Sequence, residues 1–413
     1  MHIRTVTYFV DPGYPLAEDR LAAAGSAVTA IKDALGEAGY TVQTTRLALP
    51  PFPRLLAGAD PGQLVQLALD LEAACFVHKV DYASVGPARP SDGPAYYLAI
   101  PEALRVTEHI FASALMAEPP AGERALGVSL PAVRWAAEVI QRCATLTPDG
   151  FGNLRFAALA NVPAGSPFFP AAYHEGGAPA VALGVEAADL AVTACAEATS
   201  LAEARARLGR AVEEHAAKLA KAVRKGAPRG LRFSGIDFTL APFPETARSL
   251  GTAVERLTGQ PVGRPGTLAA AAFLADALDR ATRTIPHVGF SGLFFPVLED
   301  AVLAARAAEG HLTVSDLLLY CTVCGAGLDT VPLPGDTDAG ALAAVLLDVA
   351  ALSLRLNKPL TARLMPLPGK QAGDEVSFSF AFFAASRVLA ARAAGLTGLL
   401  GGDESFDLAP RQR

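Results

Sequence analysis

The sequence predicts an α/β protein in which mostly parallel strands are covered by helices. Strand-like and helix-like segments alternate along all 413 residues, which is typical of repeated βαβ units. About 51% of the residues are hydrophobic and 18% are charged, so most elements must bury at least one face. Because no linker-like stretch divides the chain, we expect one domain over residues 1–413, with a loose tail at 401–413.

The N-terminal part begins as a βαβ unit. The pattern predicts a strand over IRTVTYFV, a helix over LAEDRLAAAGSAVTAIKDALGEAG, and a second strand over TVQTTRLAL that Pro50 and Pro51 stop. We then expect a strand over CFVHKVDYASVG and a helix over YYLAIPEALRVTEHIFASALMA.

The rest of the chain continues the alternation. The predicted strands are NLRFAALANV, APAVALGVE, LRFSGIDF, TARLMPLPG and EVSFSFAFFAAS, and LLLY is interpreted as a strand end before Cys321. The predicted helices are LAEARARLGRAVEEHAAKLAKAVRKG, ETARSLGTAVERLTG, GTLAAAAFLADALDRATRT and DAGALAAVLLDVAALSLRLN. HVGFSGLFFPVLED is expected to form a glycine-rich strand and turn.

Charge and cysteine content narrow the partners and the compartment. The net charge is only -6 and its signs are mixed, which disfavours nucleic acid and anionic membranes as partners. MHIRTVTYFVDPGYP does not resemble a signal peptide, and no run reaches the ~20 uncharged residues of a membrane span. Five cysteines suit a reducing compartment better than a disulfide framework, so we expect a cytoplasmic protein.

The stretch YCTVCGAGLDTVPLPGDTD combines two cysteines with glycines and carboxylates. Cys324 could act as a nucleophile if a cation or a helix end lowers its pKa, and Gly325 and Gly327 could bring backbone amides to a ligand. The alternative is a buried thiol that packs as a small hydrophobe, as free cysteine usually does. A redox or zinc role for the CxxC spacing is disfavoured, because no second CxxC or histidine pair accompanies it.

His174 lies in the loop AAYHEGG, between two predicted strands. Its ordinary pKa near ~6.5 suits proton transfer at neutral pH, and Gly176 and Gly177 could present amides to a ligand. A capping or structural role for this histidine is the alternative.

Asp237 and Asp329 are both predicted at strand ends, where a buried carboxylate requires a partner or a function. They could form a pair for proton transfer, or contribute to a hard-cation site together with other carboxylates, namely Glu299, Asp300 and Asp336. Helix capping by Glu299, Asp300, Asp336 and Asp338 is the alternative. Since spacing establishes no ligand set, we predict no metal site.

Lys358 and Arg363 lie in NKPLTARLMPLPGK, where they could receive the carboxylate or phosphate of a ligand. The alternative is a pair of surface charges at strand edges.

Several motifs carry a family resemblance. NVPAGSPFFPAAYHEGG, GIDFTLAPFP, VGFSGLFFPVLEDAVLA, CGAGLDTVPLPGDT and NKPLTARLMPLPGKQAGDEVSF, in this order, resemble the DUF711 family, also called UPF0210. Cys324 and His174 match cysteine and histidine positions of that family. The resemblance implies a fold similar to pyruvate formate-lyase and other glycyl radical enzymes, namely a ten-stranded α/β barrel of two parallel five-stranded halves.

The resemblance does not extend to radical chemistry. Glycyl radical enzymes carry an Arg-Val-(Ser/Ala)-Gly-Tyr segment, whereas this chain has Arg387, Val388, Leu389 and Ala390. No glycine stands where a backbone radical would form. Fold analogy alone therefore does not carry the activity over.

Together these features predict an enzyme that performs non-radical chemistry on a small carboxylate-bearing metabolite in the barrel pocket. Cys324 or His174 would exchange the proton or attack, and Asp237 and Asp329 would orient them. The alternative is a ligand-binding or regulatory protein without turnover. In either case we expect a homo-oligomer, and the sequence identifies no cofactor.

Overall fold

The structure is a computed structural model that describes residues 1–118 and 127–410. Its strands are β1 (His2–Phe9), β2 (Val42–Ala48), β3 (Tyr82–Ala88), β4 (Ile110–Ala117), β5 (Val128–Ser129), β6 (Phe156–Ala160), β7 (Ala180–Glu186), β8 (Arg232–Asp237), β9 (Gly327–Pro334), β10 (Leu360–Leu367), β11 (Glu375–Val376), β12 (Ser386–Arg387) and β13 (Ser405–Phe406). Its α-helices are α1 (Glu18–Glu37), α2 (Phe52–Leu55), α3 (Leu64–Val77), α4 (Pro94–Arg105), α5 (Leu130–Ala144), α6 (Ala188–Glu197), α7 (Leu201–Gly226), α8 (Leu250–Thr258), α9 (Thr267–Thr282), α10 (Ala301–Ala308), α11 (Val314–Tyr320) and α12 (Ala339–Leu356).

One large sheet organises the chain, with the strand order β8-β7-β1-β2-β3-β4-β6-β10-β9. All neighbours along this path are parallel except β1 with β7 and β6 with β10. β5 and β13 extend the sheet beside β4, and β11 and β12 form a separate pair. The prediction of an α/β protein with a mostly parallel sheet is confirmed.

The segment 287–296 runs beside both end strands of this path. Isolated parallel bridges join His287 to Ile236 at the β8 end, and Pro296 to Asp329 at the β9 end. A third bridge joins Leu293 to Leu240, three residues after β8. This is the segment that the sequence predicted as a glycine-rich strand and turn.

Helices cover the sheet with apolar faces spaced by one helical turn. In α1 the buried residues include Leu21, Val28, Ile31 and Leu35, so one stripe faces the core. The helix α12 is long and apolar enough to cross a membrane by length and composition, but half of it is buried inside the protein. Its apolar character is that of a core helix, as expected between a sheet and α5.

Local predictions were wrong for four segments. LLLY belongs to helix α11, which starts at a capping box between Thr313 and Asp316; this signal favours a helix over a strand. The segment CFVHKVDYASVG was predicted as a strand, but its first residue, Cys75, lies in helix α3. The long helix predicted over YYLAIPEALRVTEHIFASALMA ends at Arg105, because residues from Ile110 onward form β4.

The fourth difference concerns EVSFSFAFFAAS. Only Glu375 and Val376 pair, with β12, and residues 377–385 are irregular. Phe378, Phe380 and Phe383 of this segment pack on Phe151 instead. The expected loose tail includes β13, which pairs with β5, whereas residues 411–413 and 119–126 lie outside the described residues.

Candidate functional site

A cavity of about 450 Å³ lies against the large sheet. Small-molecule sites usually measure roughly 300–1,000 Å³, so the cavity is large enough for a metabolite. It is lined by Arg4, Thr44, Arg46, Tyr82, Glu108, His109, Phe111, Thr147, Phe151, Leu154, Arg155, Phe168, Phe169, Ala241, Pro242, Phe294, Pro296, Glu299, Asp329, Arg363, Phe380 and Phe382.

Two irregularities of the sheet occur beside this cavity. The pairing of β1 with β7 shifts register at Arg4, and the pairing of β9 with β10 shifts beside Asp329 and Thr330. Thr330 has a φ of 43°, a left-handed conformation that costs energy in a β-branched residue. Because a bulge redirects the side chains around it, these irregularities account for the position of Arg4, Asp329 and Arg363 at one cavity.

A chain of buried ion pairs crosses one wall of the cavity. Arg363 donates from Nε to Asp329 Oδ1 at 2.6 Å and from Nη2 to Glu299 Oε1 at 2.6 Å. Arg4 Nη2 donates to Glu299 Oε2 at 3.2 Å and lies 3.3 Å from Glu186 Oε2. Burial raises the pKa of Asp329, and the neighbouring Arg363 opposes that rise. Arg4 and Arg363 are therefore already neutralised by protein carboxylates.

Arg46 differs from these two arginines. It is 8% exposed, its Nε donates to Thr44 Oγ1 at 2.9 Å, and its guanidinium lies 4.9 Å from the ring centroid of Phe169 and 5.9 Å from that of Tyr82. Within the described chain no carboxylate oxygen approaches it to 4.0 Å. Burial, with Arg4 nearby, lowers its pKa to about 9. The cavity thus holds a buried cation without a counter-ion.

Arg155, the fourth arginine of the cavity, has a structural partner. It donates to the carbonyl oxygens of Thr107 at 2.5 Å and Leu104 at 2.7 Å, at the end of α4. With four arginines and the three carboxylates Glu108, Glu299 and Asp329 in its lining, the cavity has one formal positive charge when His109 is neutral.

The cavity contains two of the residues that the sequence singled out, Asp329 and Arg363. The sequence predicted Asp329 at the end of a strand, but the residue lies near the start of β9. Arg363 is buried, so the alternative of a surface charge is wrong. The structure brings both together with Glu299, which was weighed only as a cation ligand or cap. Asp300 and Asp338 cap α10 and α12, as expected.

Cys324 lies away from the cavity. It follows α11 in a helical turn with Cys321, and both are packed in the main core. A hydrogen bond from the Cys321 thiol lowers the pKa of Cys324, and the Lys358 ammonium acts in the same direction. Lys358 donates to the carbonyl oxygens of Cys321, at 2.8 Å, and Cys324. The lysine therefore holds the end of this turn.

Asp237 is also outside the cavity lining. It accepts hydrogen bonds from the backbone N–H groups of Phe290 and Ser291, both at 2.7 Å, and from Thr239 Oγ1 at 2.5 Å. Burial raises its pKa to about 6. A Cβ on Gly289, whose φ is 67°, would lie 2.1 Å from Asp237 Oδ2. The carboxylate thus organises the segment that follows residue 287.

His174 lies on its loop with its ring centroid 6.3 Å from that of Phe9, and it too is outside the cavity lining. Its Nε2 is buried and has no hydrogen-bond partner among the described residues. Burial lowers its pKa. Cys324, His174 and Asp237 therefore do not share the cavity, and their catalytic roles stay predictions.

The four selected glycines border protein atoms or solvent rather than the cavity. A Cβ on Gly325 would meet the Gly292 backbone at 2.8 Å, and one on Gly327 would meet the Thr361 carbonyl at 2.2 Å. A Cβ on Gly176 would lie 2.7 Å from Arg54, and Gly177 borders a separate groove. Their role in ligand binding stays a prediction.

Sequence reasoning missed Arg4 and Arg46. Both stand within apolar strands, in IRTVTYF and VQTTRLA, and an arginine inside a buried strand requires a partner or a ligand. That signal was present in the sequence. No group of three His, Cys, Asp or Glu side chains within residues 1–118 and 127–410 is arranged to hold a metal ion.

The fold and the cavity define a mixed α/β protein with an arginine-rich, aromatic small-molecule cavity. Residues 1–380 match the family model described as Uncharacterised ACR (DUF711). A UPF0210 protein of Methanopyrus kandleri is 33% identical over 368 residues, covering 85% of this chain and 80% of the relative. A UPF0210 protein of Oleidesulfovibrio alaskensis is 31% identical over 379 residues, covering 87% and 82%. The chain therefore belongs to the DUF711 (UPF0210) family.

Proposed function

We propose that this protein is an enzyme that binds a small carboxylate-bearing molecule in the arginine cavity and acts on it by non-radical proton transfer. The observation that carries the proposal is Arg46, a buried guanidinium that faces the cavity without a carboxylate partner in the described chain. Keeping such a charge costs stability unless a ligand neutralises it. A ligand carboxylate would accept two parallel hydrogen bonds from the free edge of Arg46.

Asp329 is the proposed proton carrier. It lines the same cavity as Arg46, burial raises its pKa, and it stands beside the strained Thr330. A buried carboxyl group with a raised pKa accepts a proton more readily at neutral pH than an exposed one. Arg363 and Glu299 hold its orientation through the 2.6 Å hydrogen bonds.

The alternative function is binding without turnover. It is favoured by one specific observation, the ion pair that occupies Asp329 Oδ1. If this pair persists with the ligand bound, the cavity recognises a carboxylate but transfers no proton.

We further propose that the sheet closes into the ten-stranded barrel that the family resemblance implies. Segment 287–296 bridges to both ends of the strand path, and counting it as a strand gives ten. The antiparallel contacts β1 with β7 and β6 with β10 would then divide the barrel into two parallel halves of five strands. This arrangement supports likeness to the pyruvate formate-lyase fold, with no radical glycine implied. Cytoplasmic location and a homo-oligomeric state stay predictions.

The test is calorimetric titration of the wild type, Arg46→Gln and Arg134→Gln with small monocarboxylates. Arg134 is a control on α5, where it contacts Asp403 away from the cavity. Charge-assisted hydrogen bonds contribute about 1.5–3 kcal/mol, so Arg46→Gln should weaken binding roughly tenfold or more. Equal affinity in all three proteins would exclude Arg46 as the anchor.

Turnover is tested with a carboxylate that binds and that has a hydrogen on the carbon next to the carboxylate, incubated with the protein in D₂O. Proton transfer at carbon predicts incorporation of deuterium next to the carboxylate, visible by NMR. Asp329→Asn should bind the compound and lose the exchange. Binding without exchange in the wild type would favour the alternative function.

A further inference from the structure

The walls of the arginine cavity are unusually aromatic. Eight of its twenty-two lining residues are phenylalanine or tyrosine, whereas the whole chain has only 20 Phe and 8 Tyr among 413 residues. The core is otherwise built mainly from alanine, leucine and valine. Apolarity alone would not require rings here, so the lining indicates a preference for a particular ligand shape.

The rings form groups that come from different parts of the chain. Phe111 lies 5.3 Å from Tyr82 and 5.2 Å from Phe169, beside Arg46. From the C-terminal side, Phe382 covers the Arg4 guanidinium at 4.8 Å and lies 5.2 Å from Phe380. A flat ring between such groups can make stacked and edge-to-face contacts that a saturated ring of similar size cannot.

The charges of the cavity limit the ligand to one anionic group. Nε of Arg46 is used by Thr44, and Phe169 and Tyr82 lie near its guanidinium. One edge therefore remains for one carboxylate. A second carboxylate would meet Asp329 and Glu299, because Arg363 is already paired with both.

We propose that the ligand is a monocarboxylate that carries a flat aromatic or heteroaromatic ring, with its carboxylate held by Arg46 and its ring packed between the phenylalanine groups. This inference rests on the proposed function, since it assumes a carboxylate in the arginine cavity. It adds the shape and the charge of the molecule, which the anion site alone does not specify.

The test compares three matched probes by calorimetry at constant ionic strength: 2-naphthoate, decahydronaphthalene-2-carboxylate and naphthalene-2,6-dicarboxylate. We expect 2-naphthoate to bind about tenfold more tightly than the saturated acid, the ratio that about 1.4 kcal/mol of ring contacts gives. The dicarboxylate should bind more weakly than 2-naphthoate by a similar factor, because of its unpaired second charge.

The outcomes separate this inference from the proposed function. Equal affinity for the flat and the saturated acid would overturn the aromatic preference while leaving carboxylate binding intact. Tighter binding of the dicarboxylate would overturn the charge limit. If none of the probes and none of the small monocarboxylates binds, the proposed function fails, and this inference fails with it.

Variants connect the preference to the rings. Phe169→Leu should reduce the ratio of the affinity for 2-naphthoate to the affinity for the saturated acid at least about threefold. The control Phe76→Leu changes a ring that is 88% exposed on α3, and it should leave this ratio unchanged. Phe382→Leu provides the same readout in an irregular segment, should Phe169→Leu fail to fold. An unchanged ratio in the folded variants would overturn the inference.

Discussion

Arg46 and Arg363 line the same cavity, but Arg363 is paired with two carboxylates and Arg46 with none in the described chain. Arg363 contacts Asp329 and Glu299 at 2.6 Å, whereas the hydrogen bond of Arg46 goes to the Thr44 hydroxyl. Both side chains are buried to a similar degree, at 8% exposure. The pair therefore separates the energetic effect of a compensated buried charge from that of an uncompensated one.

Replacing each arginine with methionine should change stability in opposite directions. Arg46→Met removes an unpaired buried charge and should raise the free energy of unfolding by about 1 kcal/mol or more, whereas Arg363→Met strands two carboxylates and should lower it by about 3–5 kcal/mol. Urea unfolding at neutral pH without ligand measures both values. Similar losses in the two variants would mean that Arg46 has an internal partner.

Asp237 should make stability depend on pH between about 4 and 6. Burial raises its folded-state pKa from 3.8 to about 6, so its contribution is fully present below pH 4 and is lost as the pH rises through 6. The difference of two pKa units corresponds to about 3 kcal/mol. The stability of the wild type relative to Asp237→Asn should fall by this order between pH 4 and 7. A constant difference would show that the three hydrogen bonds keep the pKa of Asp237 near its ordinary value.

Gly289→Ala should be more destabilising than Gly13→Ala. Both glycines have a φ of 67°, but a Cβ would lie 2.1 Å from Asp237 Oδ2 at Gly289 and meets nothing within 4 Å at Gly13. The cost of placing alanine at this φ, about 1 kcal/mol, is the same at both positions. The difference in stability between the two variants therefore measures the clash of the new Cβ with Asp237. We expect Gly289→Ala to lose at least about 2 kcal/mol more than the control in chemical unfolding. Equal losses would mean that the Asp237 loop relaxes freely.

Cys324→Ala should leave binding in the arginine cavity unchanged within about twofold. The thiol packs in the main core next to Cys321, so its loss should lower stability by about 1 kcal/mol, as expected for a small buried side chain. Calorimetry with a bound carboxylate and thermal unfolding measure the two effects. A loss of binding in a stable variant would restore Cys324 as a site residue.

The sequence allowed the fold class and part of the site to be predicted. Alternating periodicity identified β1, β2 and α7. The cost of a buried carboxylate pointed to Asp329, and the suitability of arginine for anion binding pointed to Arg363. Arg4 and Arg46 were missed although an arginine inside an apolar strand is itself a signal, whereas the register shift at Arg4 is not encoded in a local pattern. Phe380 and Phe382 were assigned to a strand, although Phe380 packs on Phe151 and Phe382 packs on Phe243, both more than 100 positions away in the chain.

The central position of β1 has a consequence for folding during synthesis. β1 emerges from the ribosome long before one of its two neighbours in the sheet, β7, which begins at Ala180. Until that strand is made, an apolar strand exposes one edge with unpaired backbone groups, which favours pairing with other chains. Long-range pairing of this kind also slows folding. Nascent chains stalled before residue 180 should therefore depend on chaperones more than chains stalled after β8.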